Sequence, residues 1–481
     1  MKLFLFFISS FLYLGIFAQY TQIENQTTMG GSLIDGLYEI KPTSDGGYIV
    51  TGASSSNDGD IEGNNGMIDG WLIKLNNNLE PEWKRTVGGT SFDLFYSVDV
   101  SSDGGYIGGG FSYSNDGGIS GNHGLSDGLI MKFDQQGNIE WQKCIGDENA
   151  NEFYQIKSTS DNGIVAVGKN NTDGWIVKLN SSQEIEWEKN FNNSMGFQQF
   201  FSVIQTDDGG YIAVGYLNEG TSSGLIVRID TYGNTLWENT YGEGSLDLIY
   251  GVHQISDGFI VVGTSNAVDE NKQGWIMKIN ENGELQWENT LGTSRDDQFN
   301  AVTELPNGDY LATGMTNFLV GDPNTGDAWI VRINANGELL WQDALGGSKT
   351  DGFANSLLRI SASSFLVAGS SQSSDGDVTT GNQGDSDGWV VKFNLEELSM
   401  QEQDQSVVCL YPNPTTGIIN LQTKEKINSV SVYNAVGQKV SFNSLNNENT
   451  SIDISNLPGG VYFVEIIIND KTTKRYKVIK K

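Results

Sequence analysis

The side chains best placed to do chemistry in this sequence are carboxylates. In the run Asn57-Asp58-Gly59-Asp60-Ile61-Glu62-Gly63-Asn64 three acids alternate ahead of a glycine, and Asp69 follows eleven residues after Asp58. A calcium loop gathers its oxygens in this way, with alternating acids wound around a glycine turn. Asp58, Asp60, Glu62 and Asp69 are therefore candidate calcium ligands. The same residue types also suit an Asx turn that lengthens a hairpin, or direct contact with a ligand, and the sequence leaves all three readings open. Two related runs, Asn115 to Asn122 and Ser374 to Asn382, lose acids: Gly118 and Ser120 replace two in the first, and Thr379 replaces one in the second. Together with Asp116, Asp127, Asp322, Asp375 and Asp377, these residues make an acidic set expected to face a ligand.

Other chemistries find little support. The histidines are His123 and His253 alone, and no Ser/His/Asp arrangement converges around either. With 60 Asp and Glu in the chain, no carboxylate pair is singled out for glycoside cleavage. The formal charge of −32 argues against nucleic acid, which is held by Lys and Arg neutralising phosphate. Ligands should be neutral, cationic or bridged by metal.

The elements that must position these residues are short strands in a repeat. A segment such as Gly70-Trp71-Leu72-Ile73-Lys74-Leu75-Asn76 recurs with Trp71, Leu129, Trp175, Leu225, Trp275, Trp329 and Trp389 at its head, at intervals of 58, 46, 50, 50, 54 and 60. A second Trp follows twelve residues later at Trp83, Trp141, Trp187, Trp237, Trp287 and Trp341. Each unit also carries an apolar residue four positions before a glycine: Tyr48/Gly52, Tyr106/Gly110, Ile164/Gly168, Tyr211/Gly215, Phe259/Gly263, Tyr310/Gly314 and Phe365/Gly369. Four β-type runs per unit, a to d, separated by turn signals, predict an all-β chain built as a seven-bladed β-propeller. The last unit stops after strand c, and Glu24 to Gly31 aligns with Glu82 to Gly89, with Asn25 in place of Trp83. An N-terminal strand is thus expected to complete the seventh blade. The position three after each strand-c head is basic in every unit (Lys74, Lys132, Lys178, Arg228, Lys278, Arg332, Lys392), which points to a stem packed between sheets and a head near a carboxylate. Turns written Thr-x-Asp-x-Gly, as at Thr43/Asp45/Gly47, loosely resemble the Asp-box turns of sialidase propellers, but the hairpin-holding role of Ser, Thr and Asp accounts for them. The whole repeat resembles Gly-rich propeller repeats of uncharacterised secreted proteins, a likeness that implies no activity. The b–c loops are long in blades six, seven, one and two, so a ligand is expected on one arc of the b–c face.

The ends read as addresses. Met1 and Lys2 precede an apolar stretch from Leu3 to Phe17 and then Ala18, the order of a cleaved signal peptide spanning 1–18. No later stretch is long and apolar enough to span a bilayer, so the mature chain is expected to be soluble. Cys144 and Cys409 lie far apart and read as two unpaired thiols. Residues 409–481 hold nine Lys/Arg and five Asp/Glu, a net of +4, against 18 basic and 55 acidic residues before them once Lys2 is set aside. That contrast marks a domain boundary, with 19–394 as the propeller, 395–408 as an acidic linker and 409–481 as a small C-terminal β-sandwich. Within the last block, Tyr411-Pro412-Asn413-Pro414 with Gly417, Val432-Tyr433-Asn434 leading to Gly437, and Leu457-Pro458-Gly459-Gly460-Val461-Tyr462 resemble the type A C-terminal sorting domain of the type IX (Por) secretion system. The resemblance implies passage through the periplasm, recognition by an outer-membrane translocon, removal of the domain by a sortase, and a mature product outside the cell or on its surface. The function expected is binding of a glycan or protein, with a polysaccharide-degrading enzyme and a structural surface protein as the other readings.

Overall fold

The computed structural model describes residues 20–191, 196–266, 271–293, 295–316, 326–396, 409–411, 415–434, 439–468 and 472–480. The chain is all-β. Among the described residues its strands form seven four-stranded antiparallel sheets and one five-stranded sheet. Sheet I is typical, with strands Asp35–Pro42 (a), Tyr48–Ser54 (b), Asp69–Leu75 (c) and Pro81–Val87 (d) in spatial order. Sheets II to VI repeat that order, their a strands being Asp93–Val100, Asn151–Ser158, Phe197–Gln205, Asp247–Ile255 and Gln298–Glu304. Sheet VII takes Asp351–Arg359, Ser364–Ser371 and Asp387–Glu396 as a, b and c, and Tyr20–Met29 from the other end of the unit as d. Strand d of this sheet pairs from Tyr20 opposite Glu396 to Met29 opposite Gly388, and Asn25 stands opposite Lys392, as Trp83 stands opposite Lys74 in sheet I.

Local chemistry explains the repeat. Strands b and c of sheet I are buried along their whole length, as a continuous apolar run requires when both faces of a sheet are covered. At the a–b turn Thr43 Oγ1 donates to Asp45 Oδ1 (2.5 Å), Gly47 N donates to the same oxygen (3.0 Å), and Gly46 adopts φ +86°. The buried Lys74 then reaches Asp45 (2.9 Å) and Glu82 (2.9 Å). Its counterparts meet Asp103, Asp161, Asp208, Asp257, Asp309 and, in sheet VII, Glu24. The hydrogen bond from Thr43, then that from Gly47 N and the Lys74 ammonium, overcome the cost of burial and hold the Asp45 carboxyl down at about 2. The repeated base therefore serves its own sheet.

The cores lie between sheets. One cluster joins Leu37, Ile40 and Tyr48 of sheet I to Leu366, Ala368 and Val390 of sheet VII, and another joins Ile49 and Leu72 of sheet I to Phe95 and Val98 of sheet II. Strand a of each of sheets II to VII packs on the sheet before it, and strand a of sheet I packs on sheet VII. The strand-d tryptophans act as clasps. Trp83, Trp187, Trp237 and Trp287 each donate from Nε1 to a carbonyl in the c–d turn of the following sheet, at Gln135, Thr231, Glu281 and Ala335. Asn25 does the same with its amide, donating to Asn78 O at 2.7 Å.

The chain divides into two compact units, 1–397 and 398–481. The second was expected to be a β-sandwich. Its hydrogen bonding runs through one five-stranded sheet, in which the 17-residue strand Ile418–Asn434 pairs with Cys409–Tyr411, Lys439–Asp453 and Gly460–Ile468, and the last of these with Thr472–Lys480. Register breaks between Gln422 and Ile427 divide the long strand. Ile419, Leu421, Val430, Val464 and Val478 form its core.

Candidate ligand site on the loop face

Strand a carries the site through a bulge. In sheet I Leu37 faces Gly52 and Glu39 faces Thr51, which leaves Tyr38 without a partner. The same slip releases Tyr96, Tyr154, Phe201, Tyr250 and Asn300 in sheets II to VI, while in sheet VII Ala354 opens a longer break between Phe353 and Leu357. The strand-b glycine is what permits this. A Cβ on Gly52 would run into Gly36 O, and Gly110, Gly168, Gly215, Gly263, Gly314 and Gly369 meet the corresponding carbonyl. A bulge aims its extra residue out of the pleat, and here a repeated bulge presents seven such residues.

Five of the seven are aromatic and they touch in series. Ring centroids lie 5.0 Å apart for Tyr38 and Tyr96, 5.4 Å for Tyr96 and Tyr154, 5.8 Å for Tyr154 and Phe201, and 5.1 Å for Phe201 and Tyr250. Such tilted and edge contacts are the favoured arrangement of aromatic pairs. Burial raises the Tyr38 and Tyr96 hydroxyls and pushes that of Tyr250 up to about 12, so all three stay neutral. The series is interrupted at Asn300 and Ala354. There a cavity of about 300 Å³ opens, lined by Leu37, Tyr38, Leu94, Met315, Phe353 and Ala354 with Gln298 and Asn300. Asn300 is fixed, since Gln298 Nε2 donates to its Oδ1 (3.0 Å) and its Nδ2 donates to Phe353 O (2.7 Å). The lining includes the starts of a strands, the end of strand b at Ala53 and the approaches to strand c at Ile68 and Ser386, so the cavity opens toward the b–c loops. A second cavity of about 180 Å³ lies further along the a strands, bordered by Glu39, Lys41, Gln155, Lys157, Ser202, His253 and Ser356. Glu39 accepts from Lys157 Nζ (2.6 Å) and Lys41 Nζ (2.8 Å). Burial opposes its charge, but the two ammonium groups prevail and bring it to about 2.

The acidic residues singled out from the sequence are placed otherwise. Asp58 is exposed, with Oδ1 accepting from Ser32 N (2.7 Å), and Asp116 and Asp375 do the same for Thr90 N (2.8 Å) and Ser348 N (2.7 Å). Asp60 accepts from Lys84 Nζ (2.6 Å), Gly30 N (3.2 Å) and Gln383 Nε2 (3.1 Å), and Asp377 from Gly346 N (3.2 Å). Glu62 is exposed. Asp69 and Asp127 are fully buried at the starts of c strands, accepting from Asn65 N (2.8 Å) and from His123 N (3.2 Å) and Nδ1 (2.5 Å). Asp322 lies outside the described residues. Asp58, Asp60, Glu62 and Asp69 do not converge, and among the described residues no three His, Cys, Asp or Glu side chains are placed to hold a metal ion. Asp58, Asp116 and Asp375 each fasten their long loop to the d–a connection beside it, and Asp60 accepts from Gly30 N of the same connection as Asp58. Cys144 is half-buried and unpaired, and burial pushes its thiol up to about 12.

In the C-terminal unit the motif residues form turns. Thr415 Oγ1 donates to Ile418 O (2.7 Å) and accepts from Gly417 N (3.0 Å), and a Cβ on Gly417 would strike Ser455. Tyr462 Oη donates to Pro458 O (2.8 Å), and Lys480 Nζ donates to Leu457 O (2.6 Å) beyond the exposed pair Gly459 and Gly460. Tyr411 ends the first strand, while Pro412, Asn413, Pro414 and Gly437 lie outside the described residues.

Among solved structures, the chain is similar to PorZ of Porphyromonas gingivalis, described as an essential bacterial surface component of the type IX secretion system (TM-score 0.43, 13% identity, 94% of this chain and 60% of that one). It is also similar to a protein of unknown function from Dyadobacter fermentans (TM-score 0.44, 11% identity, 78% of this chain and 99% of that one). The chain thus spans 60% of the length of PorZ. No curated protein matches it. Residues 409–481 match the family described as the secretion system C-terminal sorting domain. That block is a type IX sorting domain, and the chain that carries it is one destined for the cell surface or the extracellular space.

Proposed function

We propose that the protein is a ligand-binding protein of the cell surface or exterior whose seven sheets are the blades of a β-propeller, closed by the N-terminal strand in sheet VII. The ligand enters the cavity at the loop-face end of the a strands. The observation that carries this reading is the gap in the aromatic series at Asn300 and Ala354: five bulge residues fill the centre and two small ones leave room. Concave, mostly apolar sites with a few fixed polar groups are the usual form of a binding pocket. Hydrolysis is less well supported, because Asp35 is the one carboxylate among the lining residues and both its oxygens accept hydrogen bonds, from Ser54 and from Gly31 N and Ser56. The signal peptide over 1–18 and the sorting domain supply the route, through the periplasm to the translocon and sortase.

The test is a side-by-side screen of the purified chain and its Ala354→Tyr variant on a glycan array and a random-peptide display library. Wild type should enrich a ligand that the variant, with an aromatic ring filling the gap, does not. No enrichment by wild type, or equal enrichment by a folded variant, overturns the reading.

A further inference from the structure

The lining of the loop-face cavity, its rim and the charge of the loops narrow the ligand. We propose that this cavity takes a single large apolar side chain of a peptide or protein partner whose flanking residues are Lys or Arg. The proposal rests on the binding reading above and adds the partner's chemistry to it.

The cavity lining is mostly apolar, with Leu37, Tyr38, Leu94, Met315, Phe353 and Ala354 among its residues. Three of its polar side chains make hydrogen bonds within the protein. Gln298 and Asn300 bond to each other and to Phe353 O, and Asp35 accepts from a backbone N–H and two serines. A sugar ring needs a partner for each buried hydroxyl, at a cost of about 1–3 kcal/mol for each one left without, and the lining is mostly apolar, whereas an apolar side chain makes no such demand. The volume of about 300 Å³ suits one side chain rather than a chain of sugar rings. Apolar surface continues outside it: Ile34 on the lining is 63% exposed, and the neighbouring Leu33 and Met67 are 46% and 58% exposed. Exposed large aliphatics in a cluster mark an interaction surface, while scattered ones do not.

The loops around that surface set the sign of the partner. Asp58, Glu62, Asp116, Asp375 and Asp385 are exposed on the b–c loops of sheets I, II and VII. The chain ahead of the sorting domain holds 55 acids against 18 bases, Lys2 set aside. A cationic flank is therefore drawn in and an anionic one repelled, while the buried anchor supplies most of the affinity.

The experiment uses the full chain and fluorescein-labelled peptides holding one Leu, Phe or Trp between Lys residues, read by anisotropy. Counterparts carry Ala at the anchor or Glu at the flanks, and neutral cello- and xylo-oligosaccharides are titrated in parallel. Lys-flanked anchored peptides should bind, about tenfold or more tightly than the Ala or Glu counterparts, and should weaken about tenfold between 50 and 500 mM salt. Ala354→Tyr and, independently, Met315→Trp should abolish binding, with unchanged melting to show that each is folded. Binding of the oligosaccharides without the peptides overturns the partner assignment and leaves the binding function standing. Equal binding of Glu-flanked peptides, or binding unaltered in both folded variants, overturns the proposal as well. Binding of neither class of probe counts against both this proposal and the binding function.

Discussion

Asp69 begins strand c of sheet I with its side chain fully buried, its Oδ2 on Asn65 N and its Oδ1 without a hydrogen-bond partner. Burial, and then the nearby Asp93 carboxylate, push it up to about 6 despite the bond from Asn65. Asp387 in sheet VII is also raised to about 6, by burial and then by Asp35 and Asp60. The sign of the linkage follows. Below about pH 4 the group is protonated whether the chain is folded or unfolded; between about 4 and 6 the folded chain holds a proton that the unfolded chain has lost. Stability from this group therefore falls as pH rises through that window and stays lower above it. Asp69→Asn keeps an acceptor for Asn65 N and removes the charge, so it should raise the melting temperature by a few degrees at pH 7.5 and leave it nearly unchanged at pH 3.5. An equal increment at both values would remove burial of charge as the cause. The fold already uses this device elsewhere: Asn151 stands where strand a of sheet II has Asp93, and Gln273 where strand c of sheet I has Asp69.

Strand Tyr20–Met29 makes the seventh sheet four-stranded, and its contacts show what its loss would cost. Trp389 Nε1 donates to Gln26 Oε1 (3.0 Å), Lys392 Nζ meets Glu24 (3.0 Å), Asn25 reaches Asn78 O, and Met29 is buried in the cluster that joins sheets VII and I. Without it strand c becomes an exposed edge carrying Trp389. Deleting residues 20–31 should lower the melting temperature by about 5–10 °C, measured by calorimetry at neutral pH. An unchanged melt would mean that the strand does not complete the fold. This strand was legible in the sequence because Asn25 to Gly31 repeats the spacing of a strand d, with its Trp replaced. The bulge was only half legible. The glycines at 52, 110, 168, 215, 263, 314 and 369 stood out as repeat marks, yet their reason lies across the sheet, in a carbonyl some sixteen residues earlier in sheet I, between Gly52 and Gly36. Tyr38, Tyr96, Tyr154, Phe201 and Tyr250 sit beside a core residue rather than two away, so a reading by strict alternation passes over them. The partners of the acidic loops were hidden for a related reason. Their spacing is local, but the N–H groups that Asp58, Asp116 and Asp375 satisfy lie 26 or 27 residues away, on another connection.

Over the whole molecule the chain divides into two compact units, and the second holds the block that matches the sorting family. The C-terminal unit has its own core, whose buried residues lie between Ile419 and Val478, and its residues 409–481 carry a net charge of +4 in a chain of −32. The seven sheets draw their cores from their own residues, with sheet VII and sheet I sharing one cluster. Removing residues 409–481 should therefore leave the melting of the first unit within a few degrees of that in the full chain, since none of its core is taken away. The truncated chain should also remain inside the outer membrane, because the block that matches the sorting family is gone. Fractionation of cells that express the full and truncated chains, with the melt measured on each purified protein, separates the two effects. A truncated chain that melts normally and accumulates in the periplasm assigns export to residues 409–481. A normally folded truncation that still reaches the surface would refute that assignment, and a truncation that unfolds would show that the sheets depend on the block for stability.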